Sequence, residues 1–478
     1  MWWSGWPLLL SDLLALLYAY FLTLLIRFHS EWGRDLFTHL NVFLGVRDTG
    51  ELGDDLALFY VAHAPRILAL LAVAVLGLYA FLDLYEGWRF LRRRYVARAV
   101  VTANVAALLV FYGYFYLTHN QFHPRSFFAT VLAGNALLAI AFRHGWRLLR
   151  VAAGPAHNVI MIGATREADF IEQFITVHRP HGLRIAARLG WDPEQPMERL
   201  REQLADAVRS HAAELVICAE RRLKIHQIMT FLRLCGELGV ESKVLSETMN
   251  VLINEARLPT DMFFEAPLIH FGCPAPEAAW HRFRRSLGRV LAAVVLVLLA
   301  PVLLLIAALI VLTSPGPVLF VQERIGLQRR PFRMYKFRTM HSGAEQLHAE
   351  MEEFNESGQV LFKMRRDPRV TPVGRFLRRF SLDELPQLLN VVRGEMTIVG
   401  PRPLPRRDFE SYYEEWHYSR HEVAPGMTGL WQVSGRSDVD FHNMCILDVY
   451  YLHNQSLILD AKILLRTLGV VLFARGAY

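Results

Sequence analysis

Four long apolar segments open the chain, at residues 6–28, 56–84, 95–117 and 127–149, and they constrain its fold more than any other feature. Each is about long enough to cross a hydrocarbon layer of ~30 Å at about 1.5 Å per residue. Few charges fall inside them, so a soluble bundle of buried helices is the weaker reading. Hydrophobic residues make up 53% of the chain and charged residues 20%, a balance that puts part of it in lipid. The start, Met1-Trp-Trp-Ser-Gly-Trp6, has neither a basic n-region nor a small-residue cleavage site. The first segment is therefore expected to be a retained membrane helix rather than a cleaved signal peptide.

Loop charge orients these segments. Arg89, Arg92, Arg93, Arg94 and Arg98 lie between the second and third, and Arg143, Arg147 and Arg150 lie at the end of the fourth. The first loop instead carries Glu31, Asp35, Asp48, Glu51, Asp54 and Asp55 against Arg34 and Arg47, and the third has Arg125. The positive-inside rule puts the second loop and both ends of the four-helix unit in the cytoplasm. The net charge of +7, beside so much apolar sequence, points to an anionic membrane surface or a phosphorylated substrate rather than to nucleic acid. Cys218, Cys235, Cys273 and Cys445 are far apart, which argues against a zinc site or a disulfide framework.

Residues 156–268 read as a soluble α/β unit. Asn158-Val-Ile-Met-Ile-Gly-Ala-Thr165 is a buried strand entering a glycine turn; a helix is expected at 167–177, and further strands at 183–189, 215–219 and 241–245. The alternation predicts a parallel sheet. The turn at Gly163 lacks the second and third glycines of GxGxxG, so a Rossmann-like domain that no longer binds a dinucleotide is expected.

Arg282, Arg284, Arg285 and Arg289 then precede an apolar run at 290–312 that contains Pro301. Arg324, Arg329, Arg330, Arg333, Lys336 and Arg338 follow it. Basic residues at both ends favour a segment that enters one leaflet and returns, broken at Pro301, over a kinked full span.

The rest of the chain, from about 313 to 478, carries the candidate chemistry. Lys336 and Arg338, two apart in Lys336-Phe-Arg-Thr-Met340, would point the same way on an extended segment and could clamp phosphate oxygens; contact with lipid headgroups or water is the competing reading. Asp383 and Glu384 follow Arg375, Arg378 and Arg379 in Gly374-Arg-Phe-Leu-Arg-Arg-Phe-Ser-Leu-Asp-Glu-Leu-Pro-Gln387. On spacing alone, Ser381 to Glu384 suits a helix capping box better than a catalytic pair. A carboxylate can also attack phosphorus, with Arg, Lys or a metal neutralising the transferring oxygens. Two glycine turns end in arginine, Val399-Gly-Pro-Arg402 and Gly426-Met-Thr-Gly-Leu-Trp-Gln-Val-Ser-Gly-Arg436. The stretch Asp448-Val-Tyr-Tyr-Leu-His-Asn-Gln455, followed by Asp460, leads into an amphipathic tail at 463–473, which fits either the membrane surface or the domain core.

Residues 316–467 resemble the bacterial sugar transferase family, the monotopic phosphoglycosyl transferases. The motifs carrying the likeness are Lys336-Phe-Arg-Thr-Met340, Ser381-Leu-Asp-Glu-Leu-Pro-Gln387, Val399-Gly-Pro-Arg-Pro403 and Gly426-Met-Thr-Gly-Leu-Trp-Gln432, in that order. The preceding layout is similar to the large undecaprenyl-phosphate glucose or galactose phosphotransferases. The resemblance implies that Asp383 is the nucleophile on a UDP-sugar, that UMP leaves, and that undecaprenyl phosphate collects the phospho-sugar from Asp383. It further implies that Glu384 activates the lipid phosphate, that Mg²⁺ sits beside Asp383, and that Lys336 and Arg378 bind substrate phosphate, where the spacing argument adds Arg338. Arg402 and Arg436 would serve the nucleotide, and Pro301 the break of a re-entrant helix. Three departures stand out: Gln328-Arg329-Arg330 where a glycine is usual, Glu395 for Asp, and Gln455 for Trp.

The expected protein is thus a mixed membrane protein. It has a four-helix transmembrane bundle (1–150), a degenerate Rossmann-like α/β domain (151–275), and a re-entrant membrane helix with an α+β catalytic domain (276–478). It is expected in the bacterial inner membrane with catalysis on the cytoplasmic face and in contact with lipid; a homodimer is implied only by resemblance to the large members of the family. The alternatives are a non-catalytic scaffold of an exopolysaccharide assembly, disfavoured by the intact Asp-Glu pair, and a polytopic transferase without a covalent intermediate.

Overall fold

The computed structural model describes residues 6–43, 53–82, 84–85, 93–117, 125–153, 157–178, 183–192, 194–245, 261–263, 266–272, 278–341, 367–406, 409, 413–434 and 440–472. The chain forms two compact units, Met1–His157 with Phe174–Arg184, and Asn158–Gln173 with Ile185–Tyr478.

The first unit is helical: α1 (Trp6–His29), α2 (Glu31–Phe43), α3 (Gly53–Ala62), α4 (Ala64–Phe81), α5 (Arg93–Leu117) and α6 (Arg125–Ala153). Among the described residues five helices of the protein are long and apolar enough to cross a membrane, and four of them are in this unit: Pro7–His29, Ala64–Phe81, Val96–Tyr114 and Ser126–Trp146. The segment expected to run unbroken over 56–84 is instead two helices. Pro65 supplies no N–H and occupies the first turn of α4, so the chain ends one helix and starts another at His63. The acidic first loop also contains a helix, α2, which the charge argument passed over.

Small and aromatic residues, among them Ala15, Ala19, Ala103 and Phe127, fill the middle of the bundle. Several polar groups inside it are bonded to one another, which lowers the cost of placing them in lipid. Asp12 of α1 and Arg143 of α6 form a fully buried ion pair, and Arg143 Nη1 donates to the Leu84 carbonyl at 2.9 Å. Asn104 donates to Tyr79 Oη at 2.7 Å, and Asn135 donates to Asn104 Oδ1 at 2.9 Å.

The second unit begins with a six-stranded sheet in the order β2-β1-β3-β4-β6-β5. Its strands are β1 (His157–Ile162), β2 (Leu183–Leu189), β3 (Leu215–Cys218), β4 (Glu241–Val244), β5 (Asp261–Phe263) and β6 (Ala266–Phe271). Helices α7 (Arg166–His178), α8 (Met197–His211) and α9 (Ile225–Glu237) connect the first four. β1, β3 and β4 are parallel as expected, but β6 and β5 add an antiparallel edge. Only two residues separate β5 from β6, too few for a parallel crossover. At the glycine turn, Gly163 has φ +121° and a Cβ there would lie 3.0 Å from the Ala219 carbonyl. The turn thus closes β1 onto the end of β3, and the first turn of α7 carries Glu167 and Asp169, acids that disfavour a phosphate at that helix end.

The remaining elements are α10 (Ala278–Thr313), the hairpin β7 (Leu319–Ile325) and β8 (Pro331–Phe337), α11 (Pro372–Arg379), a 3₁₀ turn (Leu382–Gln387) and α12 (Leu388–Arg393). They are followed by β9 (Thr397–Val399), a 3₁₀ segment (Glu415–Glu422), β10 (Gly426–Thr428), α13 (Leu430–Ser434), α14 (Phe441–His453) and α15 (Leu457–Leu472). Apart from residues 151–157 and 174–184, the second and third segments expected from sequence lie in one unit because their cores are continuous. Phe271 of β6 meets Tyr450 of α14 with ring centres 5.7 Å apart, and Asn454 Nδ2 donates to the His270 carbonyl at 3.3 Å.

α10 has 36 residues and helical residues continue on both sides of Pro301, where a break was expected. One proline removes a single i→i−4 hydrogen bond, which flanking turns can carry. Both stretches pack on the same domain: Ala292 and Leu296 against Met334, Leu388 and Val391, and Ile306 and Ile310 against Phe337 and Leu377. Val297, Leu298, Leu304 and Leu312 stay exposed. The hairpin tip, where a glycine is usual, holds Gln328 and Arg329 at φ 53° and 62°. That left-handed backbone is strained for residues with a Cβ.

The buried ion pair of the bundle gives a direct stability prediction. Asp12→Ala leaves Arg143 buried without its counter-charge and should lower stability by about 3–5 kcal/mol. The double change Asp12→Leu with Arg143→Met should recover most of that loss. Heat unfolding of the purified protein in detergent checks both; a double variant as unstable as Asp12→Ala contradicts the pairing.

Candidate active site

The site is assembled from three stretches of the catalytic segment. β7 and β8 pair antiparallel in the register Phe320↔Lys336, which holds Lys336 on a stiff hairpin. Thr371 caps α11 by accepting from Gly374 N at 2.9 Å, and Pro372 fits the first helical position. The helix stops at Phe380, and Ser381 turns the chain with φ 53°, a strained value for serine. The 3₁₀ turn that follows carries Asp383 and Glu384.

The capping box favoured on spacing is absent. Ser381 Oγ caps no backbone N–H among the described residues, and the turn bonds back to Ser381 through backbone, Glu384 N to its carbonyl at 3.3 Å. The Glu384 carboxylate points elsewhere. Its Oε1 accepts from Lys336 Nζ at 2.9 Å and from Arg402 Nη2 at 3.0 Å. Two cations on one oxygen outcompete a neutral N–H, which is the physical reason the cap fails.

Asn390 holds these parts together. It is fully buried, accepts from Tyr335 N at 3.1 Å, and donates to the Arg333 carbonyl and to Glu395 Oε2, each at 2.7 Å. Asn390 thereby docks α12, and the turn just before it, against the strand that bears Lys336. Arg402 comes from the turn after β9. There Gly400 N donates to the Thr428 carbonyl at 2.8 Å, and a Cβ on Gly400 would lie 2.6 Å from the Ala424 carbonyl. Only glycine permits that approach.

The electrostatics separate the two acids. Burial would raise Glu384, but Arg402 and Lys336 outweigh it and hold the carboxyl well below the usual range, so it is ionised. Asp383 is pushed up, first by burial and then by the negative Glu384, against the pull of Lys336, Arg378 and Arg402. Among the described residues no hydrogen bond or ion pair reaches the Asp383 carboxylate. One acid is therefore clamped and its neighbour is free to react or to bind.

The other residues singled out from sequence fall differently. Arg378 donates from Nε to Thr339 Oγ1 at 2.9 Å, and its charge acts on Asp383. Arg338 does not join Lys336: β8 ends at Phe337, so strand alternation does not reach it. Its Nη2 donates to the Ser314 carbonyl at 2.6 Å, at the end of α10. Arg436 lies outside the described residues. A group of three metal-binding side chains is absent among the described residues. Mg²⁺ does not need one, because it commonly takes one or two carboxylates together with substrate phosphates and water; the unpaired Asp383 fits that pattern. Gln455, standing where the resemblance leads to Trp, accepts from Arg284 Nη1, and Arg284 pairs with Asp460 at 2.6 Å to fasten α15 to the start of α10.

Known proteins match along the same lines. The bacterial sugar transferase family model covers residues 279–474, and a model described as a CoA-binding domain covers 80–242. The exopolysaccharide production protein ExoY of Sinorhizobium fredii is 39% identical over 202 residues, which are 41% of this chain and 88% of that protein. The undecaprenyl-phosphate galactose phosphotransferase of Salmonella typhimurium is 38% identical over 201 residues, 41% of this chain and 42% of that protein. The undecaprenyl-phosphate glucose phosphotransferase of Komagataeibacter xylinus is 33% identical over 347 residues, 68% of this chain and 60% of that protein. The matched stretch thus spans nearly all of the small relative and less than two thirds of the two large ones. With the whole transferase segment shared, this chain belongs to the bacterial sugar transferase family.

Proposed function

We propose that the protein is a polyprenyl-phosphate glycosyl-1-phosphate transferase that moves a sugar-1-phosphate from a UDP-sugar to undecaprenyl phosphate. The observation that carries this reading is the division of labour between two adjacent acids, Glu384 held by Lys336 and Arg402, and Asp383 left unpaired. In the first step an Asp383 carboxylate oxygen attacks the sugar-bearing phosphorus. The bond from that phosphorus to the bridging oxygen breaks, UMP leaves with the oxygen, and a phospho-sugar remains on Asp383. In the second step an oxygen of undecaprenyl phosphate attacks the same phosphorus. The bond to Asp383 breaks, the carboxylate is restored, and undecaprenyl diphosphate-sugar departs.

Charge is the main requirement of such a transfer. Lys336 and Arg402 bring two positive charges that balance the carboxylates of Glu384 and Asp383, and Arg378 on α11 adds a further positive charge for the diphosphate. As substrate oxygens approach, the two cations can be shared with them, freeing Glu384 to act on the lipid phosphate. Mg²⁺, held by Asp383 and diphosphate oxygens, would supply further neutralisation there. Arg436 is assigned to the nucleotide only from its place at the end of the second glycine turn in the sequence.

The membrane arrangement is part of the proposal. α10 enters and leaves one leaflet, so that the catalytic domain lies on the cytoplasmic face of the inner membrane, in reach of a soluble donor and a lipid acceptor. What supports it is the packing of both halves of α10 on one domain, with Pro301 between them and apolar side chains left exposed. The relatives' names point to galactose or glucose as the sugar.

Two experiments test these steps. With undecaprenyl phosphate, Mg²⁺ and a panel of UDP-sugars, the protein should release UMP from at least one donor. Asp383→Asn should lower that rate by about 10³-fold or more while heat unfolding stays near wild type; a variant that retains turnover removes Asp383 from the mechanism. For topology, Ser286→Cys and Arg375→Cys, ahead of and after the apolar run, should both react with an impermeant thiol reagent in sealed inside-out vesicles. Labelling from opposite faces would establish a full span.

A further inference from the structure

The turn that presents Arg402 is gripped from behind by a buried ion pair that the proposed chemistry does not use. Arg420, in the 3₁₀ segment Glu415–Glu422, is 2% exposed, and Asp448, in α14, is 1% exposed. Arg420 Nη2 donates to Asp448 Oδ2 at 2.6 Å and also to the backbone carbonyl of Arg402 at 2.8 Å. Its Nη1 donates to Tyr413 Oη at 3.1 Å. Burial pushes the Asp448 carboxyl up to about 6 against the pull of Arg420.

A pair buried this deeply contributes little net stability, because desolvation offsets most of the attraction. What it supplies is direction. Pro401 and Pro403 flank Arg402, so the backbone there is stiff. Fixing its central carbonyl sets where the Arg402 side chain leaves the turn. The next carbonyl, of Pro403, accepts from Arg324 Nη1 at 3.1 Å, a second grip on the same turn. From that turn Arg402 reaches Glu384 Oε1 at 3.0 Å. An unbroken line of polar contacts therefore runs Asp448–Arg420–Arg402–Glu384, from the core of α14 to the acid pair.

We infer that Arg420, oriented by Asp448, is a positioning residue that aims Arg402 at Glu384. It touches no substrate and acts only through Arg402. Its importance for turnover rests on the function proposed above, but the aiming itself can be read without turnover.

The test uses the full-length protein in lipid nanodiscs at one fixed pH, with carbodiimide modification of Glu384 followed by peptide mass spectrometry. Arg402→Ala uncovers Glu384 and should raise its modification several-fold. Arg420→Lys and Asp448→Asn should each raise it in the same direction. The double variant Arg402→Ala/Arg420→Lys should be modified no faster than Arg402→Ala alone, since a residue acting through another adds nothing once that other is gone. Leu447→Ala, a buried neighbour in α14, should lower the unfolding temperature without changing Glu384 modification. The inference is overturned if Arg420→Lys and Asp448→Asn leave Glu384 at the wild-type rate, if the double variant adds the full effect of both changes, or if Leu447→Ala exposes Glu384 equally. UMP release, measured in parallel, should show the same non-additivity. A wild-type protein that releases no UMP overturns the proposed function and leaves the labelling result in force.

Discussion

One carboxylate organises the catalytic segment. Glu384 Oε1 takes charge-assisted hydrogen bonds from Lys336 and Arg402, residues 48 and 18 positions away in sequence. A half-buried glutamate so paired is ionised, and two cations on one anion leave the cluster short of negative charge. Asp383 stands next to that surplus with no hydrogen bond or ion pair among the described residues. The hairpin that stiffens Lys336, the buried Asn390 that docks the acid turn, and the glycines that let the Arg402 turn approach β10 all serve this arrangement. Ser381, strained at φ 53°, swings the chain so that the two acids follow a helix carrying three arginines.

The proposed reaction joins a soluble donor to a lipid acceptor, and α10 and α15 give the domain apolar surface to meet the second. Leu304, Leu305 and Leu312 of α10 and Leu465 and Leu468 of α15 are exposed large hydrophobics. Arg284, bonded to Asp460 and to the Val399 carbonyl, ties the beginnings of both helices to the strand just ahead of the Arg402 turn. The exposed apolar helices and the acid pair are therefore linked through a short run of contacts.

Much of this was legible in the sequence. Long apolar runs announce helices whatever surrounds them, and adjacent acids after a run of arginines stand out as a charge pattern. What escaped has specific causes. The helix break at His63 turns on one proline inside an apolar run, which hydropathy averages away. The cap expected at Ser381 depended on Glu384 lacking a better partner, and its partners come from distant strands. Arg338 was grouped with Lys336 by strand alternation, yet the strand stops at Phe337. Asn390 acts largely on backbone groups, which impose no spacing that a sequence can display, and Arg420 joins one backbone carbonyl to side chains that other segments bring to it. The antiparallel edge of the sheet depended on a two-residue connection between strands too short to show a period.

The central claim is that Asp383 itself carries the phospho-sugar. The most direct measurement is to mix the full-length protein with a UDP-sugar it accepts and Mg²⁺, without lipid acceptor, quench in acid and find the modified peptide by mass spectrometry. One phospho-sugar is expected on the peptide containing Asp383, formed together with an equal amount of UMP and lost when undecaprenyl phosphate is added. UMP release that appears only when the lipid acceptor is present, with the peptide unmodified throughout, would contradict it.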